Sequence, residues 1–327
     1  MVALVRPRLP RRLHLELTNR CNSQCQTCIR TVAPEPDCDM SVADVRRIVD
    51  EIPNLEAVAL QVNGEPLLYP HLAQVVRLLV DRGVIVELNT NGIALEGDRA
   101  RELLDSGLQR LNVSLDAATP QTYESLRGVG ALERVVANTH HFLRWRGPAP
   151  AAPRVSLWVT STRHNLTELP RIIDIAAQVG ADEVYLQRLV YFGEGRASAR
   201  DSVHGRLTDA QREAIGDATR RADRHGIAFR ACGGHSPEDM LTANGDSDAW
   251  RECRRPSESA VIMANGDVVP CCICTFVAPI ERIRMGNVQR ASLASVWNGP
   301  RYAELRAEHT LGAGPPYCKS CGVRWSM

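Results

Sequence analysis

Short strand-like runs, some alternating apolar with polar and others continuously apolar, recur through the first two-thirds of the chain: LHLELT (13–18), AVALQV (57–62), VIVELNT (84–90), RLNVSLD (110–116), RVSLWVT (154–160) and EVYLQRL (183–189). Alternation is the period of a half-buried strand, and a short apolar run suits a strand buried on both faces. Between the runs, at 41–52, 70–82, 98–106, 131–146, 165–179 and 208–225, apolar residues fall at helical spacing, as in Val75, Leu78 and Leu79. Gly83, Gly107, Gly180 and Gly226 stand where helix C-caps are expected. Six strand–helix units in series predict an α/β fold with a parallel sheet and helices outside it. GIAFRAC (226–232) predicts a seventh strand at its edge.

GPAPAAP (147–153) is a loop inside this rhythm, which resumes directly after it. Beyond about residue 235 the rhythm stops. SPEDMLTANGDSDAW is polar and irregular, and AVIMANGDVVPCC then predicts a hairpin turning at Asn265-Gly266. These shifts divide the chain into 1–235 and 236–327. No internal repeat or low-complexity tract is present.

The 39 basic and 38 acidic residues nearly cancel, which gives no charge-based reason to expect nucleic acid or a membrane surface as a partner. No apolar run reaches the roughly 20 residues of a membrane span, and no signal-peptide pattern opens the chain, so a cytoplasmic location is expected. Lys319 is the only lysine. A cofactor held as a lysine Schiff base needs a lysine in a pocket, and this one lies between Cys318 and Cys321, which argues against pyridoxal chemistry. Eleven cysteines are many for a reducing compartment, where grouped cysteines read as metal or catalytic sites rather than disulfides. Cys21, Cys25, Cys28 and Cys38 form one group. Cys253, Cys271, Cys272, Cys274, Cys318 and Cys321 form another, and Cys232 stands between them.

Cys21-x3-Cys25-x2-Cys28 follows the first strand, where loops of a βα array line an active site. Three thiolates leave an open coordination position, whereas a structural zinc site has four ligands; Cys38 would supply a fourth in that reading. TNRCNSQCQTC resembles the signature of the radical S-adenosylmethionine (SAM) superfamily. The resemblance covers about residues 9–230. It implies a partial (β/α)6 TIM-type barrel and a [4Fe-4S] cluster on Cys21, Cys25 and Cys28. The open iron would be chelated by SAM, whose reductive cleavage gives a 5′-deoxyadenosyl radical that abstracts hydrogen from the substrate. It also implies an external electron donor such as flavodoxin or ferredoxin. Asn63-Gly64-Glu65-Pro66 resembles the family's GGEP, which binds the methionine amino group; Asn63 replaces its first glycine. Thr90 and Asn91, then Ser114 and Asp116, occupy the family's ribose and carboxylate-contact positions, with Arg127 as a further candidate.

Cys253, Cys271 and the final Cys318-x2-Cys321 resemble the SPASM/twitch extension of that superfamily, which carries auxiliary Fe–S clusters. Four thiolates suit a [4Fe-4S] cluster or tetrahedral zinc. The short series predicts one auxiliary cluster, as in the twitch form. Cys272 or Cys274 could replace Cys271, or both could be buried thiols.

The first strand begins near residue 13, so a preceding peptide-binding domain is not expected. The chain then resembles the small-molecule branch, acting on sugars, aminocyclitols or nucleosides in antibiotic biosynthesis. Gln187, Arg188, Tyr191, Glu194, Arg196, Cys232 and His235 fall at the expected barrel mouth and suit a polar substrate. Arg188, Glu194 and Cys232 are the catalytic candidates. His140 and His141 lie on a helix away from it. Dehydrogenation, with the auxiliary cluster accepting an electron, and epimerisation, with Cys232 returning hydrogen, are the two expected reactions. Decarboxylation, peptide modification and a non-catalytic Fe–S scaffold are the alternatives.

Overall fold

The computed structural model of the chain describes residues 9–31, 35–147, 152–189, 197–198, 200–203, 207–234, 236–242, 253–276, 279–312 and 314–319. Each expected run forms a strand: β1 (Arg12–Leu15), β2 (Ala57–Leu60), β3 (Ile85–Thr90), β4 (Arg110–Ser114), β5 (Arg154–Ser161), β6 (Glu183–Arg188) and β7 (Ala228–Ala231). β8 (Ser259–Ile262), β9 (Asp267–Val269) and β10 (Gly286–Asn287) follow. All ten make one sheet in the order β10-β9-β8-β1-β2-β3-β4-β5-β6-β7. From β8 through to β7 neighbours are parallel; β9 and β10 are antiparallel additions.

Helices α1 (Val42–Asp50), α2 (Leu72–Val80), α3 (Gly97–Leu104), α4 (Pro120–Arg127), α5 (Leu132–Arg146), α6 (Leu169–Val179) and α7 (Asp209–His225) intervene between the first strands. α4 is absent from the elements expected above. Thr119 caps it, Pro120 opens it and Gly128 closes it in the left-handed region. Leu13, Leu15, Val86, Leu88, Val155 and Val159 on the sheet share a buried core with Ile48, Val75, Leu79, Phe142 and Ile173 from the helices. Each such side chain contributes about 1.5–3 kcal/mol by leaving water.

The expected hairpin is β8–β9. Gly266 has φ 84°, so its turn requires glycine. It is not set apart from the barrel, because β8 pairs with β1 and continues the sheet across residue 235. Helices α8 (Pro237–Thr242), α9 (Arg255–Glu258), α10 (Ile280–Ile283), α11 (Leu293–Trp297), α12 (Pro300–Thr310) and α13 (Pro316–Lys319) accompany the hairpin. Trp297 and Tyr302 join the same hydrophobic core as the barrel, with Arg306 stacked over both rings. Among the described residues no helix is long and apolar enough to cross a membrane.

Candidate active site

The loop after β1 is held from three sides. Gly64 lies so close that a β-carbon there would stand 1.8 Å from the Thr18 carbonyl oxygen, and the Glu65 N–H donates to the Arg20 carbonyl at 2.7 Å. From β3, the Asn91 side-chain amide reaches Asn22 Oδ1 at 2.6 Å, Ser23 Oγ at 3.1 Å and Cys21 Sγ at 3.9 Å. From α4, the carbonyls of Arg127 and Leu126 accept from Gln24 and Gln26. Gly128 has room for no side chain, since a β-carbon would meet the Gln24 carbonyl at 2.3 Å. The motifs that sequence spacing places after β1, β2 and β3 therefore touch one another.

Burial pushes the Cys28 thiol up to about 11 and raises Cys21 as well. Cys25 acts on both Cys21 and Cys28, and Cys21 acts on Cys28, so the three form one electrostatic set. Cys38 is pushed up by burial and then by Glu16, Glu35, Asp39 and Asp37, which sets it apart from that trio. Among the described residues no three His, Cys, Asp or Glu side chains converge on one metal ion. The thiolates of a four-iron cluster each bind a different iron and need not do so.

Glu65 is fully buried and both its oxygens are engaged. Oε1 accepts from Thr90 Oγ1 at 2.6 Å and from the Leu67 N–H at 2.9 Å; Oε2 accepts from the Asn91 N–H at 2.7 Å. Pro66 opens the short helical turn that follows. Asp116 accepts from the Thr160 N–H at 2.7 Å and pairs with Arg127 at 2.9 Å. Burial opposes the Arg127 charge, but Cys25, Asp116 and Tyr123 outweigh it and hold the guanidinium protonated. Ser114 ends β4 beside Trp158. Three buried polar atoms here find no partner among the described residues: the acceptor Asn63 Oδ1, the donor Arg127 Nε and the Tyr123 hydroxyl. An acceptor and a cationic donor flanking a cysteine loop fit the amino and carboxylate groups of SAM, and three thiols fit the cluster. Asn63, the departure from the family's glycine, supplies that acceptor.

At the other cysteine group, the Cys274 N–H donates to Cys271 Sγ at 3.3 Å and the Cys274 thiol donates to the Cys271 carbonyl at 2.8 Å. Hydrogen bonding from Cys274, aided by Arg255, lowers Cys271 to about 6, whereas burial raises Cys253, Cys272 and Cys274. Cys253 feels Cys271, and Tyr317, next to Cys318, packs with Cys271 and Cys272 on one small core. The structure thus brings Cys253, Cys271 and Cys318 into one region. Cys321 lies outside the described residues.

One face of the sheet encloses a cavity of about 570 Å³. Its lining includes Arg12 and His14 from β1 and, at the alternate spacing of one strand face, Ile85, Glu87 and Asn89 from β3 and Trp158 and Thr160 from β5. At the carboxyl ends of β6 and β7 it meets Gln187, Arg188 and Cys232, together with Thr27 from the loop of the first cysteines; Arg255, which precedes β8, and Cys272, which follows β9, also line it. Cys232 and Arg188 are therefore cavity residues. Glu194, Tyr191, Arg196 and His235 lie outside the described residues. Sequence reasoning missed Glu16, a buried carboxylate accepting from the Asn63 and Ala264 N–H groups, and the lumen residue His14. The signal for both was present: polar residues interleaved with Leu13, Leu15 and Leu17.

The chain matches the radical SAM superfamily over residues 15–144 and the iron–sulfur cluster-binding SPASM domain over residues 253–322. It is 28% identical over 322 residues to the pre-heme d1 synthase of Dinoroseobacter shibae, covering 89% of this chain and 74% of that protein. It is 26% identical over 325 residues to a PqqA peptide cyclase of Streptomyces rochei, covering 96% and 82% respectively. The fold is similar to Streptococcus suis SuiB bound to its precursor peptide SuiA, with a TM-score of 0.70 at 17% identity, over 97% of this chain and 72% of that one.

Proposed function

For a chain that carries a radical SAM domain and a SPASM domain, we propose hydrogen abstraction from a substrate carbon held in the lumen cavity. When bound, the cluster and SAM supply a 5′-deoxyadenosyl radical as the abstracting agent, and an auxiliary cluster supplies a one-electron acceptor. An external reductant is required. The observation that carries this reading is the continuity of the cavity, which runs from Thr27 in the loop of the first cysteines to Cys232 and Cys272. Its volume is within the range of small-molecule sites, about 300–1,000 Å³, so it admits a small molecule or one side chain of a larger one.

In this reading residues 1–235 form the SAM-cleaving barrel and 236–327 the auxiliary module. Cys21, Cys25 and Cys28 hold the first cluster. Cys253, Cys271, Cys318 and Cys321 hold one auxiliary cluster. Asn63 and Arg127 orient SAM. Glu65, Thr90, Asn91 and Asp116 hold the loops that carry those contacts. Arg188 and the enclosed wall of the lumen position the substrate and exclude water.

For the substrate, a peptide is the first reading, supported by the relative named as a peptide cyclase. A sugar, aminocyclitol or nucleoside undergoing dehydrogenation or epimerisation is the second. It is favoured by the polar side chains Gln187, Asn89 and Thr160 in the lumen wall and by a thiol, Cys232, placed there. Anaerobic reconstitution with reductant tests both. Wild-type protein should form 5′-deoxyadenosine, and replacing Cys21, Cys25 and Cys28 with alanine should leave about four irons and form none. Cofactor cleavage by the triple variant would overturn the assignment. Product mass then separates loss of two hydrogens, no change and loss of carbon dioxide.

A further inference from the structure

The cationic donor proposed to orient SAM and the backbone bonds that brace the cysteine loop lie on one short helix. α4 carries Arg127 and, one turn earlier, Tyr123, whose hydroxyl is buried and without a partner among the described residues, like Arg127 Nε. The carbonyls of Arg127 and Leu126 accept from the N–H groups of Gln24 at 3.2 Å and Gln26 at 2.9 Å, the two residues flanking Cys25. The loop of the first cysteines is therefore placed only as well as α4 is.

The start of α4 is held by Glu168, the last residue before α6. Its Oε2 accepts from the Ala118 N–H at 2.6 Å and the Thr119 N–H at 3.0 Å. Its Oε1 accepts from the hydroxyls of Thr119 at 2.8 Å and Thr122 at 2.6 Å. One carboxylate thus takes four donors from the first turn of α4 and its approach, where a helix also favours negative charge. Starting the helix does not require it. Thr119 already caps α4 by accepting from the Thr122 N–H at 3.4 Å, and Pro120 opens it.

Asn165 grips the same approach from the same connection. It is fully buried, and its Nδ2 donates to the carbonyls of Asp116 at 2.8 Å and Thr160 at 2.9 Å. Asp116 in turn pairs with Arg127 at the far end of α4. The segment between β5 and α6 therefore fixes both the direction of α4 and the carboxylate its last residue returns to. α4 has eight residues and is about 12 Å long, so a tilt of about 5° at one end moves the other by about 1 Å. A misplacement of that size in a reactive site costs roughly 100-fold.

We propose that Glu168 is a positioning residue for the SAM site. It acts through α4, fixing Arg127, Tyr123 and the backbone on both sides of Cys25, and not on the cofactor itself. The inference rests on the assignment of the first cluster to Cys21, Cys25 and Cys28 and of SAM to Arg127.

Glu168→Ala and Glu168→Gln are compared with wild type as reconstituted holoprotein. Ser292→Ala, which removes the side-chain cap of α11, is the control for lost stability alone. SAM affinity per iron-loaded chain is measured by anaerobic equilibrium dialysis below the melting temperature of every sample. The change that SAM makes in the electron paramagnetic resonance spectrum of the reduced protein is the second readout. Glu168→Ala should weaken SAM binding by about tenfold or more, the usual cost of removing a group that holds a ligand in place, and should diminish the spectral change. Glu168→Gln should bind SAM nearly as wild type does, because its amide oxygen still accepts from the two N–H groups and its nitrogen donates to the two hydroxyls. Thr122→Val removes one of the four bonds and should fall between wild type and Glu168→Ala. It decides the matter if Glu168→Ala does not fold. Wild-type affinity and spectral change in folded Glu168→Ala, or in Thr122→Val where Glu168→Ala does not fold, would overturn the proposal. Equal weakening by Ser292→Ala at a matched loss of melting temperature would overturn it too. Failure of the wild-type protein to bind SAM would instead remove the enzyme reading, and this inference with it.

Discussion

Glu16 and Ala264 are joined by a hydrogen bond of 3.0 Å across 248 residues of chain. The other oxygen of the same carboxylate accepts from the Asn63 N–H at 2.9 Å. One buried side chain thus fastens the loop proposed to orient SAM to the turn after β8. Glu16→Ala leaves two buried N–H groups without acceptors, each worth about 1–3 kcal/mol. The expected result is a loss of about 2–5 kcal/mol in stability together with weaker SAM binding, read by thermal unfolding and by equilibrium binding. Unchanged SAM affinity in a destabilised variant would separate the two roles.

Gly64 is required by contact rather than by backbone angle. Gly64→Ala drives a methyl into the Thr18 carbonyl, and backbone cannot yield as a side chain does. Displacing the loop by an ångström should lower SAM cleavage by roughly 100-fold. Iron content should remain near that of the wild type, because no cysteine is altered. Loss of iron in step with activity would show that the loop supports the cluster rather than the cofactor.

Asp116 and Arg127 form a pair whose side chains are 9% and 13% exposed. Removing one partner strands the other charge, at a cost of about 3–5 kcal/mol. Asp116→Ala should therefore destabilise strongly, and the double variant Asp116→Ala with Arg127→Met should recover part of the loss. Thermal unfolding of the set checks this; equal losses in the single and double variants would show that the pair is not coupled.

His14 sets a pH dependence. Burial, reinforced by Arg255, lowers its imidazole from 6.5 to about 3. Between those values the unfolded chain binds a proton that the folded chain excludes. The neutral His14 therefore contributes stability fully above pH 6.5 and progressively less as pH falls toward 3. His14→Gln should flatten this limb, so that the difference in melting temperature between variant and wild type narrows from pH 7 to pH 5. A constant difference would show that His14 titrates alike in both states.

Cys232 lines the lumen and is apart from both cysteine groups. Cys232→Ala should keep the full iron content and continue to form 5′-deoxyadenosine. If the product is inverted at carbon, the variant should fail to release it; if the product has lost two hydrogens, turnover should be nearly normal. A fall in iron content would reassign Cys232 as a ligand.

The barrel strands and both cysteine groups were legible because a strand writes its burial into a period of two or a short apolar run and a cluster loop writes its ligands into a short spacing. α4 was missed because LDAATPQTYESLRG carries few apolar residues, and only Tyr123 and Leu126 are buried on it. Its boundary signals, Thr119-Pro120 and Gly128, were present without an apolar stripe to join them. The β1–β8 pairing was not legible at all. It couples segments at opposite ends of the chain, and neither segment's local pattern names its partner. Glu16 itself stands out in the sequence as a polar residue in an apolar run, but its Ala264 partner does not, since that contact is set by the same pairing.

The register of β1 with β8 also governs how the chain can assemble during synthesis. A chain elongated only through β7 has β1 paired with β2 on one side and an open row of N–H and C=O groups on the other. Such an edge is a template for strands of other molecules. It is covered only when residues 259–262 arrive, after which the edge on that side of the sheet is β10, two residues long, and β7 is the edge on the other. The C-terminal hairpin is therefore the chain's own cover for the β1 edge. Chains truncated before residue 259 should aggregate even though every barrel strand is present.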